Sequence, residues 1–236
     1  MAPNRVHELV RAAEASRPGI DALLHLCSLA AEGLPVDGVG LSVIAGPGRH
    51  SKVTATDEVS GHIEDLQVLL GQGPCVDAVA TGAPVLVPDL DAPGVRARWP
   101  AFLPAASAVG VRASFALPLV VGAVRLGAMD LYRAEVGGLG RRGEDEATAY
   151  AGAAVELLLA AAHTEHHDRL PAGMRSGWAG SSVVHQASGM VMVQLDCDIA
   201  AGFAALRARA YREKRPLADL ARDVVERRVR FDRSAP

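Results

Sequence analysis

The C-terminal quarter of the sequence concentrates basic side chains around one short turn. Arginine can hold a phosphate through two parallel hydrogen bonds and can stack on an unpaired base. A tyrosine among arginines can stack on a splayed base, although it can equally lie at the edge of a hydrophobic core. The pattern predicts contact with a polyanion, and the candidate residues are Arg207, Arg209, Tyr211, Arg212, Lys214, Arg215 and Arg222.

The distribution of charge divides the chain in the same place. The 236 residues carry a formal net charge of -3. Residues 1–168 contain 12 Lys and Arg against 20 Asp and Glu, whereas residues 169–236 contain 12 against 7. An acidic first part and a basic second part indicate two modules, of which the second is suited to a polyanion.

Composition excludes several classes of protein. A hydrophobic content of 50% is too high for a disordered chain. The three cysteines, Cys27, Cys75 and Cys197, are far apart, so they predict neither a disulfide framework nor a zinc-ligand cluster and favour a reducing, cytoplasmic environment. Cys75 follows a proline at a helix start, where a small packed residue is the simpler interpretation and a redox-sensitive thiol the alternative.

Neither a membrane segment nor an enzyme is expected. The longest apolar runs are shorter than the roughly 20 residues that a spanning helix requires, and the polar N-terminus lacks the apolar region of a secretory signal. No nucleophile elbow and no phosphate-binding loop is present. We therefore expect no catalytic residue, no metal site and no contact with a membrane.

The spacing of apolar residues in the first module predicts alternating helices and strands. Two apolar runs on either side of Gly122 have the length of central strands, and a Gly-Pro-Gly sequence at 46–48 predicts a hairpin. Helix periods predict flanking helices. The expected fold is an α+β domain with a mainly antiparallel sheet, with helices over 6–34, 59–70, 99–109 and 144–164 and strands near 39–46, 52–56, 84–87, 111–121 and 123–132.

This order of elements resembles a GAF domain. The resemblance rests on Gly-Gln-Gly-Pro-Cys-Val-Asp-Ala at 71–78 and on Thr-Gly-Ala-Pro-Val-Leu-Val-Pro-Asp at 81–89. It is closest to the actinobacterial type. The resemblance implies a sensor domain whose cavity over the sheet holds a small molecule, haem or nothing, so a small-molecule ligand is possible and its identity is unknown.

The second module is predicted to be a small all-α unit of three helices. Apolar residues recur at helical spacing from 183, from 199 and from 217, with Asp198 as the expected N-cap of the second helix. Helices this short must pack on one another or on a partner chain. The predicted domains are therefore a sensor domain over 1–168, a linker over 169–180 and a helical domain over 181–236.

This tail resembles an ANTAR domain. The matching segments are Val-His-Gln-Ala-Ser-Gly-Met-Val-Met at 184–192, Phe-Ala-Ala-Leu-Arg at 203–207 and Arg-Pro-Leu-Ala-Asp-Leu-Ala-Arg-Asp-Val-Val at 215–225. The resemblance implies an RNA-binding antiterminator that binds paired hairpins in nascent transcripts, usually as a homodimer. It also implies packing roles for Ala187, Gly189, Met192, Phe203, Leu206, Leu217, Ala221 and Val224.

Together these features predict a signal-responsive transcription regulator in which a GAF sensor controls an RNA-binding ANTAR domain. Two alternatives remain open at this stage. The last two helices would serve a DNA-binding regulator if they formed a helix-turn-helix, and the basic face would serve a protein-interaction module if its partner were acidic.

Overall fold

The structure is a computed structural model, which describes residues 3–15, 20–46, 49–164 and 172–232. The first part of the chain alternates helices and strands, and the last part is helical. The elements are α1 (Pro3–Glu14), α2 (Ile20–Gly33), β1 (Gly38–Gly46), β2 (Arg49–Ala55), α3 (Glu58–Leu70), α4 (Pro74–Thr81), β3 (Val85–Val87), α5 (Val95–Arg98), α6 (Phe102–Ala108), β4 (Ala113–Val121), β5 (Val124–Arg133), α7 (Gly140–Thr164), α8 (Ala172–Leu195), α9 (Ile199–Arg212) and α10 (Leu217–Val225).

The five strands form one antiparallel sheet in the order β2-β1-β5-β4-β3. The predicted hairpin is confirmed as the pairing of β1 with β2, although residues 47–48 lie outside the described residues. In the central pair, Gly40 of β1 lies opposite Asp130 of β5. Position 40 must stay small, because a Cβ there would overlap the side chain of Glu64 on α3.

Each face of the sheet is covered by helices. Alternate residues of a strand point to opposite faces, and on β5 Met129 and Leu131 join the core formed with α1, α2 and α7. Tyr132 joins a second core on the other face, under α3, α4 and α6, where Trp99 is also buried. The predicted α+β sandwich of an antiparallel sheet and flanking helices is therefore confirmed.

Helix α3 has well-defined ends, which fix the position of the side chains it carries. Asp57 caps its N-terminus, with Oδ1 accepting a hydrogen bond from the backbone N–H of Ser60 at 3.0 Å. Gly71 ends it with a φ of 61°, a left-handed conformation that glycine adopts without strain.

Helices α8, α9 and α10 pack together into a unit that we call the helical head. The head has its own small core, as expected for three short amphipathic helices. Asp198 caps α9 as predicted, accepting a hydrogen bond from the N–H of Ala201 at 2.7 Å. The core residues with no exposed surface are Ala187, Val191, Leu206, Ala210, Leu220, Ala221 and Val224.

The predicted linker over 169–180 differs from what the structure shows. Residues 169–171 lie outside the described residues, but α8 already begins at Ala172 and runs through the remainder of that segment. Glycine in a helix costs only about 1 kcal/mol relative to alanine, so the glycines at 173, 177 and 180 do not prevent a helix. The domain boundary at 181 stays a prediction.

The helical head packs against the sheet domain rather than standing apart from it. Helix α8 contacts β2, and α9 contacts α3. Leu69, near the end of α3, packs against the hydrophobic core of the head. The two parts of the chain therefore share an interface, to which both α3 and β2 contribute.

Among the described helices, no single one has both the length and the apolar character needed to cross a membrane. Residues 183–195 and 199–212 pass that test of length and composition only as a pair, and the chain bends by 104° between them.

Candidate nucleic-acid interface and buried polar cluster

The turn between α9 and α10 brings the most exposed of the predicted polyanion-binding residues together. After Arg212 the chain reverses through Lys214, which adopts a positive φ of 50°. The backbone N–H of Lys214 donates to the carbonyl of Tyr211 at 3.1 Å, and that of Arg215 donates to the carbonyl of Ala210 at 3.0 Å. These bonds close the end of α9 and hold the turn in one conformation.

Three of the candidate residues are exposed at this turn, and we call them the basic tip: Tyr211, Arg212 and Lys214. Tyr211 is 56% exposed, so it is a surface residue rather than the edge-of-core aromatic that the sequence also allows. An exposed aromatic ring and two cations on the same turn offer stacking and phosphate contacts at the same place.

Two other candidates form ion pairs within the head. Arg215 pairs with Asp223 and Glu213, and Arg222 pairs with Asp219 at 2.9 Å. Hydrogen bonding to Asp223 raises the pKa of Arg215. These pairs reduce the positive charge that the side chains present to a ligand, because each has an anionic neighbour.

Arg209 ties the end of the described chain to α9. It pairs with Glu213 at 2.7 Å, donates to the carbonyl of Arg230 at 2.8 Å, and lies 5.0 Å from the ring centre of Phe231. The hydrogen bond from Arg209 is the largest cause that lowers the pKa of Glu213. The arrangement gives Arg209 a structural role whether or not it also touches a ligand.

Arg207 points away from the basic tip and lies at the interface with the sheet domain. Its guanidinium sits over Gly71 so closely that a side chain at position 71 would collide with both terminal nitrogens. It also lies 5.2 Å from the ring centre of Phe203. Burial lowers the pKa of Arg207, and its Nε has no hydrogen-bond partner among the described residues. The negative end of the α3 dipole faces this cation.

The predicted packing residues occupy the head in different ways. Ala187, Leu206, Ala221 and Val224 have no exposed surface, and Phe203 is 7% exposed. Met192 and Leu217 are half-buried. Gly189 faces open space, since a Cβ there would have no neighbour within 4 Å.

A second glycine, which sequence reasoning missed, makes the close approach between helices. A Cβ at Gly202 of α9 would lie 2.8 Å from the carbonyl oxygen of Ser188 and 2.9 Å from the backbone nitrogen of Met192 on α8. Both atoms are backbone, so they cannot rotate away. Gly202 is one residue before the matched segment at 203–207, and a glycine inside an amphipathic helix was the available sequence signal.

The sheet domain contains a buried polar cluster between α3, α4, β1 and β5, formed by Glu64, Cys75 and Asp130. The side chains of Glu64 and Asp130 have no exposed surface, and Cys75 is 1% exposed. One ligand-type atom from each of the three lies within 4.8 Å of the others. We call these three residues the buried triad.

A shell of hydrogen bonds surrounds the buried triad. Tyr132 donates its hydroxyl to Oε1 of Glu64 at 2.6 Å, and Gln67 donates its amide to the Tyr132 oxygen at 3.2 Å. The Ser42 hydroxyl and the Cys75 sulfur are 3.2 Å apart. Gln67 also accepts a hydrogen bond from the Cys75 backbone N–H at 2.8 Å.

Burial dominates the electrostatics of the triad. Desolvation raises the pKa of Glu64, and it raises the pKa of Asp130 well above its usual value, with the nearby Glu64 charge adding to the effect. The pKa of the Cys75 thiol is also raised well above normal, mainly by burial. No Lys or Arg within the described ranges forms an ion pair with either carboxyl group.

Sequence reasoning does not identify this cluster. The burial of Cys75 agrees with the prediction of a packed residue, but its polar neighbours are not part of that prediction. One signal was available, because Asp130 interrupts the apolar strand between Met129 and Leu131. An acidic residue in the middle of a buried strand requires an explanation.

The chain thus joins an α+β domain that contains a buried polar cluster to a helical head that carries a basic tip. Residues 20–164 match the GAF domain family and residues 174–225 match the ANTAR domain family. The chain thus belongs to the GAF domain family, and the order of its two domains is that of a GAF–ANTAR regulator. It is a signal-controlled regulator, and both matched domains are regulatory rather than catalytic. The actinobacterial type stays a prediction.

Solved structures share the fold of the first domain. The GAF domain of a phosphoenolpyruvate-protein phosphotransferase from Acinetobacter superposes with a TM-score of 0.55 and 10% identity, covering 70% of this chain and 96% of its own. The corresponding domain from Coxiella burnetii gives 0.55 and 15%, with the same coverage of 70% and 96%. The chromophore-binding domain of a bacteriophytochrome from R. palustris gives 0.50 and 12%, covering 68% and 62%. No curated protein matches the chain.

Proposed function

We propose that the chain binds hairpin RNA in nascent transcripts through its ANTAR domain and acts in transcription antitermination under the control of the GAF domain. The observation that carries this proposal is the basic tip, where an exposed aromatic residue and two exposed cationic residues share one turn on a domain of the ANTAR family. Unpaired loop bases stack on such rings, and phosphates pair with such cations.

Control by the GAF domain is supported by the contact between the modules. Arg207 is held against the end of α3, and Leu69 of α3 completes the core of the head. In this arrangement Arg207 is directed toward the sensor domain, whereas the residues of the basic tip are exposed on the head. A regulator without catalytic activity, in which the sensor positions the head, accounts for both contacts.

The proposal also includes a homodimer. Val193 on α8 is 74% exposed, and Gly189, one turn earlier, faces open space. A second copy of the chain would cover this apolar surface and would supply the second RNA-binding face that paired hairpins require. Light scattering on the purified chain tests this part, and a strict monomer at all concentrations contradicts it.

The double variant Arg212→Ala/Lys214→Ala tests the RNA-binding surface. We expect it to weaken hairpin binding by at least about tenfold, because a hydrogen bond to a charged group contributes roughly 1.5–3 kcal/mol. The slope of log affinity against log salt should fall in magnitude by about 2, or about 1 for each phosphate that the variant leaves without a cationic partner. Filter binding at several salt concentrations measures both quantities.

The matched control is Arg96→Ala/Arg112→Ala, which removes the same charge from an exposed part of the sheet domain. It should leave the affinity and the salt slope nearly unchanged. Equal losses in the two double variants would show that net charge, rather than the basic tip, attracts the RNA. Stronger binding to duplex DNA than to paired hairpins would favour the DNA-binding alternative instead.

A further inference from the structure

The buried triad places acidic groups in the protein interior without a described cationic side chain to balance their charge. Glu64, Cys75 and Asp130 place two carboxyl groups and a thiol together in the interior of the GAF domain. Burying an isolated carboxylate is costly, so such groups are paired, neutralised or bound to a metal ion. No described cationic side chain pairs with either carboxyl group.

Unsatisfied oxygens point to a missing partner. Neither carboxylate oxygen of Asp130 has a hydrogen-bond partner of good geometry among the described residues, although Glu64, Cys75 and Gln67 lie close enough to influence its pKa, and Oε2 of Glu64 likewise has no such partner. Most buried polar atoms in folded proteins have at least one partner. Three unsatisfied oxygens within one cluster therefore indicate a group that binds there.

The donor set identifies the chemical class of that group. A thiolate with two carboxylates suits a divalent transition-metal ion of intermediate softness such as Zn²⁺, which is commonly held by three protein ligands with a fourth position for water. Ligand atoms around tetrahedral zinc lie about 3.3–3.8 Å apart. The three atoms of the triad already lie within 4.8 Å of one another, so a movement of about 1 Å brings them into range.

The surrounding hydrogen bonds have the arrangement expected of residues that orient metal ligands. Tyr132 holds one oxygen of Glu64 and leaves the other directed elsewhere, and the Ser42 hydroxyl contacts the Cys75 sulfur. Gln67 links these two groups by bonding both Tyr132 and the backbone of Cys75. Such outer partners fix the orientation of ligands and tune affinity.

The backbone also keeps space for the ligands. Gly40 lies opposite Asp130 in the sheet, and any side chain at position 40 would overlap the carboxyl group of Glu64. The carboxyl group of Glu64 therefore reaches the sheet surface only because residue 40 is a glycine. The ligands come from α3, α4 and β5, so a bound ion would join three elements of the domain.

We propose that Glu64, Cys75 and Asp130 form a binding site for one divalent transition-metal ion, of the Zn²⁺ class, inside the GAF domain. The proposal is independent of RNA binding by the head. It makes the sensor domain a metal-dependent one, in which the two positive charges of the ion offset most of the negative charge of the two carboxylates and the thiolate.

Cobalt binding tests the proposal directly, because a sulfur ligand gives Co²⁺ a charge-transfer absorption that oxygen and nitrogen ligands do not. The full chain, stripped of metal with a chelator, is titrated with Co²⁺ and then with Zn²⁺ at mildly alkaline pH, where ligands lose their protons more readily. We expect one Co²⁺ per chain with the sulfur band, displaced by one Zn²⁺.

The three cysteines provide matched controls. Cys27 is also fully buried, but it lies in the core on the other face of the sheet, where burial raises the pKa of its thiol to about 12. The variant Cys27→Ala/Cys197→Ser leaves Cys75 as the single thiol and should retain the sulfur band. Cys75→Ser should lose it, and Asp130→Asn should weaken Co²⁺ binding by more than about 100-fold, beyond the effect typical of an outer partner.

Absence of the sulfur band in Cys27→Ala/Cys197→Ser, or its persistence in Cys75→Ser, would overturn the proposal. Because Asp130→Asn can fail to fold, circular dichroism accompanies each titration. If Cys27→Ala/Cys197→Ser is folded, its titration alone decides whether Cys75 is a metal ligand. If that variant is unfolded, the wild-type chain decides: the proposal fails if it binds Co²⁺ without the band, or binds none. Hairpin binding is measured in parallel on the same preparations. Failure of the metal-site proposal is then distinguishable from failure of the proposed RNA-binding function.

Discussion

Gly202→Val is expected to unfold the helical head and to abolish hairpin binding. The added Cβ would lie under 3 Å from two backbone atoms of α8, so α8 and α9 would have to separate. Overpacking typically costs about 1–3 kcal/mol, and backbone obstacles place this variant at or above the upper end. The small core of the head cannot absorb such a loss, since little apolar surface is buried in a unit of this size.

The comparison is with Gly189→Val, which places the same side chain in a helix of the same unit, at a position that is open within a single chain and that only the proposed dimer contact would cover. Replacing a helical glycine by valine improves helix propensity by a few tenths of a kcal/mol, so the head should be as stable as before or slightly more so. Denaturant unfolding followed by circular dichroism, with limited proteolysis of the head, measures both variants. Equal unfolding midpoints would show that α8 and α9 do not cross at Gly202.

Trp99→Ala should destabilise the GAF domain by about 3–5 kcal/mol, the range for removal of a large buried aromatic side chain. Trp99 is 1% exposed and meets Phe102 edge to face at 6.3 Å between ring centres. Its indole N–H donates to Asp77 at 3.1 Å, which fastens the loop before α6 to α4. The destabilisation therefore combines a cavity with a broken hydrogen bond.

Arg98→Ala distinguishes the stability that comes from the surface contacts of Trp99 from the stability that comes from burial of its ring. Arg98 lies 4.6 Å from the ring centre of Trp99 and also pairs with Asp77 at 2.7 Å, but its side chain is 47% exposed. An exposed ion pair and cation–π contact together should contribute no more than about 1–2 kcal/mol. A free energy of unfolding lowered equally by Trp99→Ala and Arg98→Ala would mean that the indole is not a core residue.

The spacing of apolar and capping residues predicted most of the helices and strands, because each of these depends on residues that are close in sequence. The continuous apolar runs of β4 and β5 reflect burial on both faces of the sheet, and Asp198 at the start of α9 is a cap that acts within three residues. The hairpin β1–β2 follows from a turn sequence between two strands. Each of these depends on neighbours in sequence, so each was predictable.

The features that could not be predicted depend on contacts between distant segments. Glu64, Cys75 and Asp130 meet only through the pairing of β1 with β5 and the placement of α3 and α4 over that pair. Nothing in a helical period distinguishes Gly189 from Gly202, because the difference is set by how α8 and α9 cross. Likewise, Arg207 resembles its basic neighbours in sequence, and only the docking of the head turns it toward α3.

Helix α3 belongs to both halves of the molecule at once. Its middle carries Glu64, whose carboxyl group reaches into the sensor interior, and its last turn supplies Leu69 to the core of the head. Both positions lie on one continuous capped helix of 13 residues, so we expect a displacement of α3 at one position to be felt at the other. Coupling between two sites is reciprocal. If docking of the head stabilises one tilt of α3, it also raises the affinity of the sensor interior for any ligand that favours the same tilt.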